Sequence, residues 1–74
     1  FTVAEAIEAR RHDFARRGLP VPADDAEECW RGRARMAAAR LAAGCPLDDD
    51  DREALRRWPG RSAFDPTPAP RNVA

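Results

Sequence analysis

The chain of 74 residues contains no lysine, glutamine or tyrosine, and all thirteen of its basic residues are arginine. Together with the content of alanine, proline and aspartate, this composition is typical of a GC-rich bacterial or phage coding sequence. There is no stretch of about 18 apolar residues and no basic segment followed by an apolar one, so neither a membrane span nor a signal peptide is predicted. We therefore expect a small bacterial protein in the cytoplasm.

Side chains able to carry out catalysis or bind metal are few and scattered. Nucleophilic catalysis needs a nucleophile, a base and an orienting group within reach, yet the single serine, Ser62, and the single histidine, His12, lie far apart in the sequence. Cys29 and Cys45 lack a zinc-site spacing, and no glycine-rich phosphate loop is present. A helix between these cysteines would separate them by about 24 Å, so both are expected to stay reduced. We predict no enzyme activity, no metal and no cofactor.

The chain is too short for a large hydrophobic core. Its 74 residues make one small domain at most, and sixteen of them are alanines that bury little area each. A single core of this size rarely contributes more than about 3–5 kcal/mol. We therefore expect either marginal stability or support from a partner. Because the chain begins at Phe1 instead of methionine, we also expect a trimmed piece, which leaves open a supporting segment of a larger enzyme.

Turn and capping signals divide the chain into three helices and a tail. Thr2 and Glu5 have the spacing of a capping box, and Gly18 and Gly44 are placed to end the first two helices. The predicted helices cover about residues 3–17, 25–43 and 49–57. The predicted fold class is all-α: a small three-helix domain over residues 1–58, followed by an extended, proline-rich tail over residues 59–74.

The charge pattern also has a structural explanation. Capping boxes are predicted for Asp25 with Glu28 and for Asp50 with Glu53. In each helix acidic residues precede basic ones, the order that complements the helix dipole. The acidic run 48–51 lacks the central glycine and final glutamate of a calcium loop, so we interpret it as a solvated helix start. These charges therefore require no ligand.

The central helix carries two apolar lines. The line predicted to face the core comprises Ala26, Trp30, Ala34, Ala37 and Leu41. A second line has the spacing of three and four residues that is typical of helix–helix seams, and comprises Cys29, Gly32, Met36, Ala39 and Ala43. The sequence leaves open whether the first and third helices cover one line each, or whether the second line remains for a partner.

These observations predict a non-catalytic protein–protein interaction module. It would be an adaptor, inhibitor, antitoxin-like partner or small subunit that binds another protein or a second copy of itself. Arg33 and Arg40 flank the second apolar line as rim contacts, and Phe64 is the single large apolar residue of the tail. The predicted interface comprises Cys29, Gly32, Arg33, Met36, Ala39, Arg40, Ala43 and Phe64.

The alternative is a nucleic-acid-associated protein whose arginines contact phosphates without reading bases. The candidate contacts are Arg10, Arg11, Arg16, Arg17, Arg31 and Arg35. Thirteen acidic residues balance thirteen basic ones, so no overall field attracts nucleic acid. The acidic run 48–51 would also repel phosphate at the start of a recognition helix. Nucleic acid is therefore the less favoured partner.

Overall fold

A computed structural model of the chain describes residues 1–65. Over this range the chain forms three α-helices, α1 (Val3–Arg16), α2 (Asp25–Ala42) and α3 (Asp49–Arg57), and a 3-10 turn at Ser62–Phe64. The predicted all-α class with three helices is confirmed, and each predicted helix agrees with these bounds to within one residue. The proline-rich extension predicted for residues 66–74 lies outside the described residues. None of the helices in the described range is long and apolar enough to cross a membrane.

Helix α2 lies in the middle of the fold, in contact with α1, α3 and the 3-10 turn. In the second half of α1, Arg10 donates from Nε to Oδ1 of Asp25 over 2.6 Å, at the first residue of α2. Before the start of α1, the carbonyl oxygen of Phe1 accepts a 2.7 Å hydrogen bond from Nη1 of Arg33. Arg33 lies about two turns further along α2. α1 therefore runs antiparallel to the first half of α2.

Helix α3 also runs antiparallel to α2. Asp51 in its first turn accepts a 2.7 Å hydrogen bond from Arg40 near the end of α2, whereas Arg57 in its last turn lies 3.8 Å from Glu27 near the start. α3 has nine residues and α2 has eighteen. At about 1.5 Å per residue, α3 spans about 14 Å beside a helix about 27 Å long. It therefore covers only part of α2.

The hydrophobic core consists of small buried side chains and two half-buried tryptophans that pack against them. One alanine each from α2, α3 and the 3-10 turn is fully or almost fully buried: Ala34, Ala54 and Ala63. Trp30 and Trp58 pack against these alanines. Arg57 lies 4.3 Å from the ring centroid of Trp30, and Arg31 lies 5.2 Å from that of Trp58. Such cation–π contacts contribute about 0.5–1 kcal/mol at exposed positions, so the arginines supplement a small apolar core.

The first apolar line of α2 faces this core over only part of its length. Ala34 and Ala37 are buried and Trp30 is half-buried, as predicted. Ala26 and Leu41 are exposed, so the prediction is wrong at both ends of the line. α3 has nine residues and α2 has eighteen, so α3 lies beside only part of this line.

Glycines end α1 and α2 as predicted. Gly18 and Gly44 adopt left-handed conformations, with φ of 69° and 74°. The amide of Cys45 then donates to the carbonyl oxygen of Arg40 over 2.9 Å, which closes a Schellman motif, and α1 ends in the same way. At the start of α1, the Thr2 hydroxyl accepts a 3.1 Å hydrogen bond from a first-turn amide. The local signals therefore set these helix ends.

The capping boxes predicted at the starts of α2 and α3 are wrong. Asp24 caps α2 and makes no side-chain capping hydrogen bond, while Asp25 is buried and binds α1. At α3, Oδ1 of Asp48 accepts from the amide of Asp51 over 2.7 Å, and Oδ2 of Asp51 accepts from the amide of Asp48 over 3.1 Å. Asp50 instead accepts a 2.8 Å hydrogen bond from the first amide of α1. The predictions were wrong because Asp25 and Asp50 accept hydrogen bonds from α1 instead of capping their own helices.

Residues 59–65 fold back onto α2 instead of extending. The chain turns at Ser62–Phe64, and the carbonyl oxygen of Ala63 accepts hydrogen bonds from Nε of Arg31 over 3.2 Å and from Nε of Arg35 over 2.5 Å. The predicted extended tail is therefore wrong for this part of the chain, because two arginines of α2 hold the main chain in place.

Candidate interaction surface

A cavity of about 430 Å³ opens between α1 and α2. Small and apolar side chains form most of its wall, together with three charged ones. The lining residues are Phe1, Val3, Ala6, Arg10, Glu28, Cys29, Gly32, Arg33 and Met36. The space remains because small residues of the two helices face each other, with Ala6 on α1 and Gly32 on α2, and neither can fill it.

Gly32 leaves an open position in the middle of α2. It borders the cavity, and a Cβ atom at this position would meet nothing within 4 Å. Glycine within a helix costs about 1 kcal/mol relative to alanine. No close contact among residues 1–65 requires a glycine here, and a side chain at this position would enter the cavity.

The second apolar line of α2 continues from the cavity onto exposed surface. Met36 is 39% exposed, and Ala39 and Ala43 are exposed as well. Cys29 and Gly32 are half-buried beside α1. α1 and α3 therefore leave part of this line uncovered. We call the five residues of this line, Cys29, Gly32, Met36, Ala39 and Ala43, the groove face of α2.

Arg33, predicted at the rim of the interface, lies inside the fold. Its guanidinium donates to Oδ1 of Asp51 over 2.8 Å, to Oδ2 of Asp48 over 2.6 Å and to the carbonyl oxygen of Phe1 over 2.7 Å. Burial alone would lower its pKa, but the hydrogen bond to Asp51 and the charges of Asp51 and Asp48 raise the pKa above its ordinary value. Arg33 is therefore a structural residue, and its burial corrects the predicted role as a rim contact.

Asp51 accepts hydrogen bonds from both arginines that flank the groove face. Oδ1 accepts from Arg33, and Oδ2 accepts from Arg40 over 2.7 Å. Burial alone would raise the pKa of Asp51, but the hydrogen bonds from Arg33, Arg40 and the amide of Asp48 lower it from 3.8 to about 2. The interpretation of the acidic run as a solvated helix start is therefore wrong at Asp51, which stays ionised inside the fold.

Opposite charges lie towards the two ends of the groove face. Glu28 borders the cavity near the start of α2, and its side chain is 3.7 Å from Arg31. Arg40 lies beyond Met36 and remains partly exposed while it bonds Asp51. Arg40 is therefore accessible beside the groove face, whereas Arg33 is not, and the role of Arg40 as a rim contact stays a prediction.

Phe64 lies on a different side of α2 from the groove face. The carbonyl oxygen of Ala63 anchors the turn to Arg31 and Arg35. At 100° per residue, these two arginines project about 100–140° round the helix from Met36. Phe64 is exposed there, so the structure does not bring it together with the other predicted interface residues.

The arginines of the phosphate alternative have acidic or carbonyl partners. On α1 they are Arg10, Arg11, Arg16 and Arg17. Arg10 bonds Asp25 over 2.6 Å, and Arg11 lies 3.9 Å from Glu8. Arg16 and Arg17 lie 2.9 Å and 3.3 Å from Asp13. On α2, Arg31 is buried and Arg35 bonds Ala63, so this set presents no unpaired basic patch among the described residues.

Both cysteines are free, as predicted. Cys45 is exposed, whereas Cys29 is half-buried, and burial raises the pKa of the Cys29 thiol, as does the charge of Asp25. His12 is an exposed residue 3.7 Å from Glu8. Within residues 1–65, no group of three or more histidine, cysteine or acidic side chains could hold a metal ion.

No protein-family model, curated protein or solved structure matches the chain. The interpretation of this surface therefore rests on its own geometry. Helical spacing located the groove face, but sequence reasoning missed the cavity and the buried pairing of Asp51 with two arginines. The spacing of Asp48 and Asp51, which is that of a capping box, was a signal for part of that network.

Proposed function

We propose that this chain is a non-catalytic protein-binding module, an adaptor, inhibitor or small subunit, that binds its partner through the groove face of α2. The observation that carries the proposal is the continuous surface from the cavity at Gly32 to the exposed Met36, Ala39 and Ala43. Apolar helix faces of this kind bind amphipathic helices, whose anchor side chains recur every turn and enter such recesses.

Met36 and Phe1 differ from the other large exposed apolar side chains because both border the cavity. Leu19 and Val21 in the first connector are also exposed, but single exposed apolar residues are common and need no explanation. Met36 borders the cavity, and the small side chains beside it let another backbone approach closely. Methionine is also flexible enough to adapt to the shape of a partner.

Photo-crosslinking tests the proposed surface. A photo-reactive amino acid at position 39, introduced in the cells that produce the chain, should form a covalent adduct with the partner. The matched control is position 41, because Leu41 is exposed on the same helix but projects about 200° further round it. Replacing Met36 with Asp should reduce the adduct at position 39, since a charge there must be desolvated on binding. Far-UV circular dichroism checks that the variant stays folded.

Two results would contradict the proposal. The first is equal labelling at positions 39 and 41, and the second is an adduct at position 39 that is insensitive to Met36→Asp. DNA binding that falls steeply with salt and depends on Arg16 and Arg17 would favour the nucleic-acid alternative instead.

A further inference from the structure

Among residues 1–65, two arginines beside the 3-10 turn have no acidic partner. Every other arginine of this range has a carboxylate within ion-pair distance. Arg35 bonds only the main-chain carbonyl of Ala63, and Arg61, which precedes the turn, forms no ion pair with a described carboxylate. Both side chains are exposed. Positive charge that the described acids leave unbalanced is therefore concentrated at this turn.

The fold holds Arg35 in a position to bind an anion. Its Nε donates to the carbonyl oxygen of Ala63 over 2.5 Å, and Ala63 is 1% exposed. This bond fixes one edge of the guanidinium, whereas Nη1 and Nη2 donate to no other residue of the described range. These two nitrogens present parallel N–H donors that match the two oxygens of a carboxylate. Because the arginine is already held, it loses less side-chain freedom when it binds an acid.

An exposed aromatic residue lies at the same turn. The amide of Phe64 donates to the carbonyl oxygen of Arg61 over 2.9 Å, and the Phe64 side chain is 55% exposed. Aromatic residues and arginine are enriched at protein interfaces, where the residues that dominate the binding energy are often of these types. The turn therefore offers an apolar contact close to two cationic donors.

We propose that Arg35, Arg61 and Phe64, which we call the turn face, bind a segment of a partner protein in which a carboxylate lies beside an apolar side chain. The carboxylate bonds Arg35, and the apolar side chain packs on Phe64. The turn face lies on a different side of α2 from the groove face, so binding at one does not require binding at the other. A chain with both surfaces can connect two proteins.

The charges around the turn face favour a carboxylate partner over nucleic acid. Affinity for nucleic acid comes from several phosphate contacts made at once, and this surface supplies two cations. Acidic side chains also flank it, since Glu28 lies 3.7 Å from Arg31 and Asp65 is exposed directly after the turn. These acids would repel a continuous phosphate backbone, whereas a single carboxylate needs only the donors of the turn face.

Peptide selection tests the chemistry of the partner. Random peptides displayed on phage are first depleted of those that bind a chain carrying Arg35→Ala and Phe64→Ala, and are then selected on the unaltered chain. We expect the enriched peptides to carry aspartate or glutamate beside a large apolar residue. Enrichment of basic or uncharged peptides, or no enrichment, overturns the proposal.

Matched variants locate the binding of an enriched peptide. Arg35→Ala and Phe64→Ala should each raise its dissociation constant at least about tenfold, as expected for contacts that dominate an interface. Arg52→Ala and Leu41→Ala are the controls. Arg52 also donates to a main-chain carbonyl but pairs with an acidic residue, and Leu41 is an exposed apolar residue elsewhere on α2. Equal losses in the test and control variants overturn the proposal.

The same variants separate binding at the turn face from misfolding and from the proposed function. When Arg35 is replaced, the carbonyl oxygen of Ala63 keeps its 3.2 Å hydrogen bond from Arg31, so far-UV circular dichroism should not change. Crosslinking at position 39 should also persist, because the groove face is unaltered, and its absence would count against the proposed function alone. Binding of single-stranded DNA that is lost in Arg35→Ala, in place of peptide binding, overturns the proposal in favour of nucleic acid.

Discussion

Arg33 donates from Nε to Oδ1 of Asp51 over 2.8 Å, and both side chains are buried, with 4% and 0% of their surfaces exposed. Arg40 bonds the second oxygen of the same carboxylate. Asp51 therefore pairs with two arginines of α2 while it forms a capping box with Asp48 at the start of α3. Because the buried apolar side chains are mainly alanine, we infer that the packing of α3 on α2 depends on this network.

Asp51→Asn should destabilise the chain strongly. Removing one partner of a buried ion pair costs about 3–5 kcal/mol, and Arg33 would then keep only Asp48, whose side chain is 55% exposed, as its acidic partner. This is about as much as a core of this size supplies, so we expect a large fall in the urea midpoint or loss of the helical circular dichroism signal.

The control for this substitution is Asp49→Asn, which makes the same chemical change at another aspartate in the first turn of α3. Asp49 is 98% exposed and pairs only with Arg52 at the surface among the described contacts. Its replacement should therefore change the free energy of unfolding by no more than about 0.5 kcal/mol. Similar losses in the two variants would contradict the structural role of Asp51.

Acid should destabilise the protein through Asp51. Its pKa in the folded chain is about 2, below the value of about 3.9 expected when unfolded. A group with a lowered pKa contributes stability that is present above its unfolded pKa and is lost as the pH falls through its folded pKa. The free energy of unfolding should therefore fall by on the order of 2 kcal/mol between about pH 5 and pH 2. Urea titrations across this range measure the change.

An exposed carboxylate provides the comparison for this pH dependence. Asp13 also has a lowered pKa, chiefly because it accepts a hydrogen bond from Arg16, but it lies near the surface. The free energy of unfolding of the Asp13→Asn variant should therefore still fall between about pH 5 and pH 2, by most of the amount seen in the unaltered chain. A free energy of unfolding that stays constant or rises as the pH falls would contradict the assignment to Asp51.

Gly32→Ala should stabilise the monomer by about 0.5–1 kcal/mol. Alanine is the better helix former, and its Cβ at this position would meet nothing within 4 Å. Gly44→Ala should do the opposite and cost about 1 kcal/mol, because Gly44 has a φ of 74°. Urea unfolding at low protein concentration measures both variants. Equal effects of the two substitutions would contradict this interpretation.

Alkylating reagents should modify Cys45 before Cys29. The thiolate is the reactive form, and burial raises the pKa of the half-buried Cys29 while Cys45 is exposed. Mass spectrometry of samples quenched during iodoacetamide treatment gives the order of labelling. In urea the difference should disappear, and equal rates in the folded chain would contradict the placement of Cys29.

Helical periodicity was sufficient to predict the composition of the candidate surface but not its exposure. Spacings of three and four residues placed Gly32, Met36 and Ala39 on one side of α2. How far that side is covered depends on the position of α1, which is set by contacts such as Arg10 with Asp25. The exposure of Leu41 was unpredictable for a related reason, since it depends on how far α3 extends along α2.

The sequence by itself determined the three helices and where they end. A C-terminal glycine such as Gly44 acts on hydrogen bonds within about one turn of the chain, so its signal is local. The tertiary structure alone decided which acid neutralises which arginine, because Asp51 lies 18 residues from Arg33 and any of thirteen acidic residues was a possible partner. Packing buries this one pair, and a buried charge requires a counter-charge at hydrogen-bonding distance.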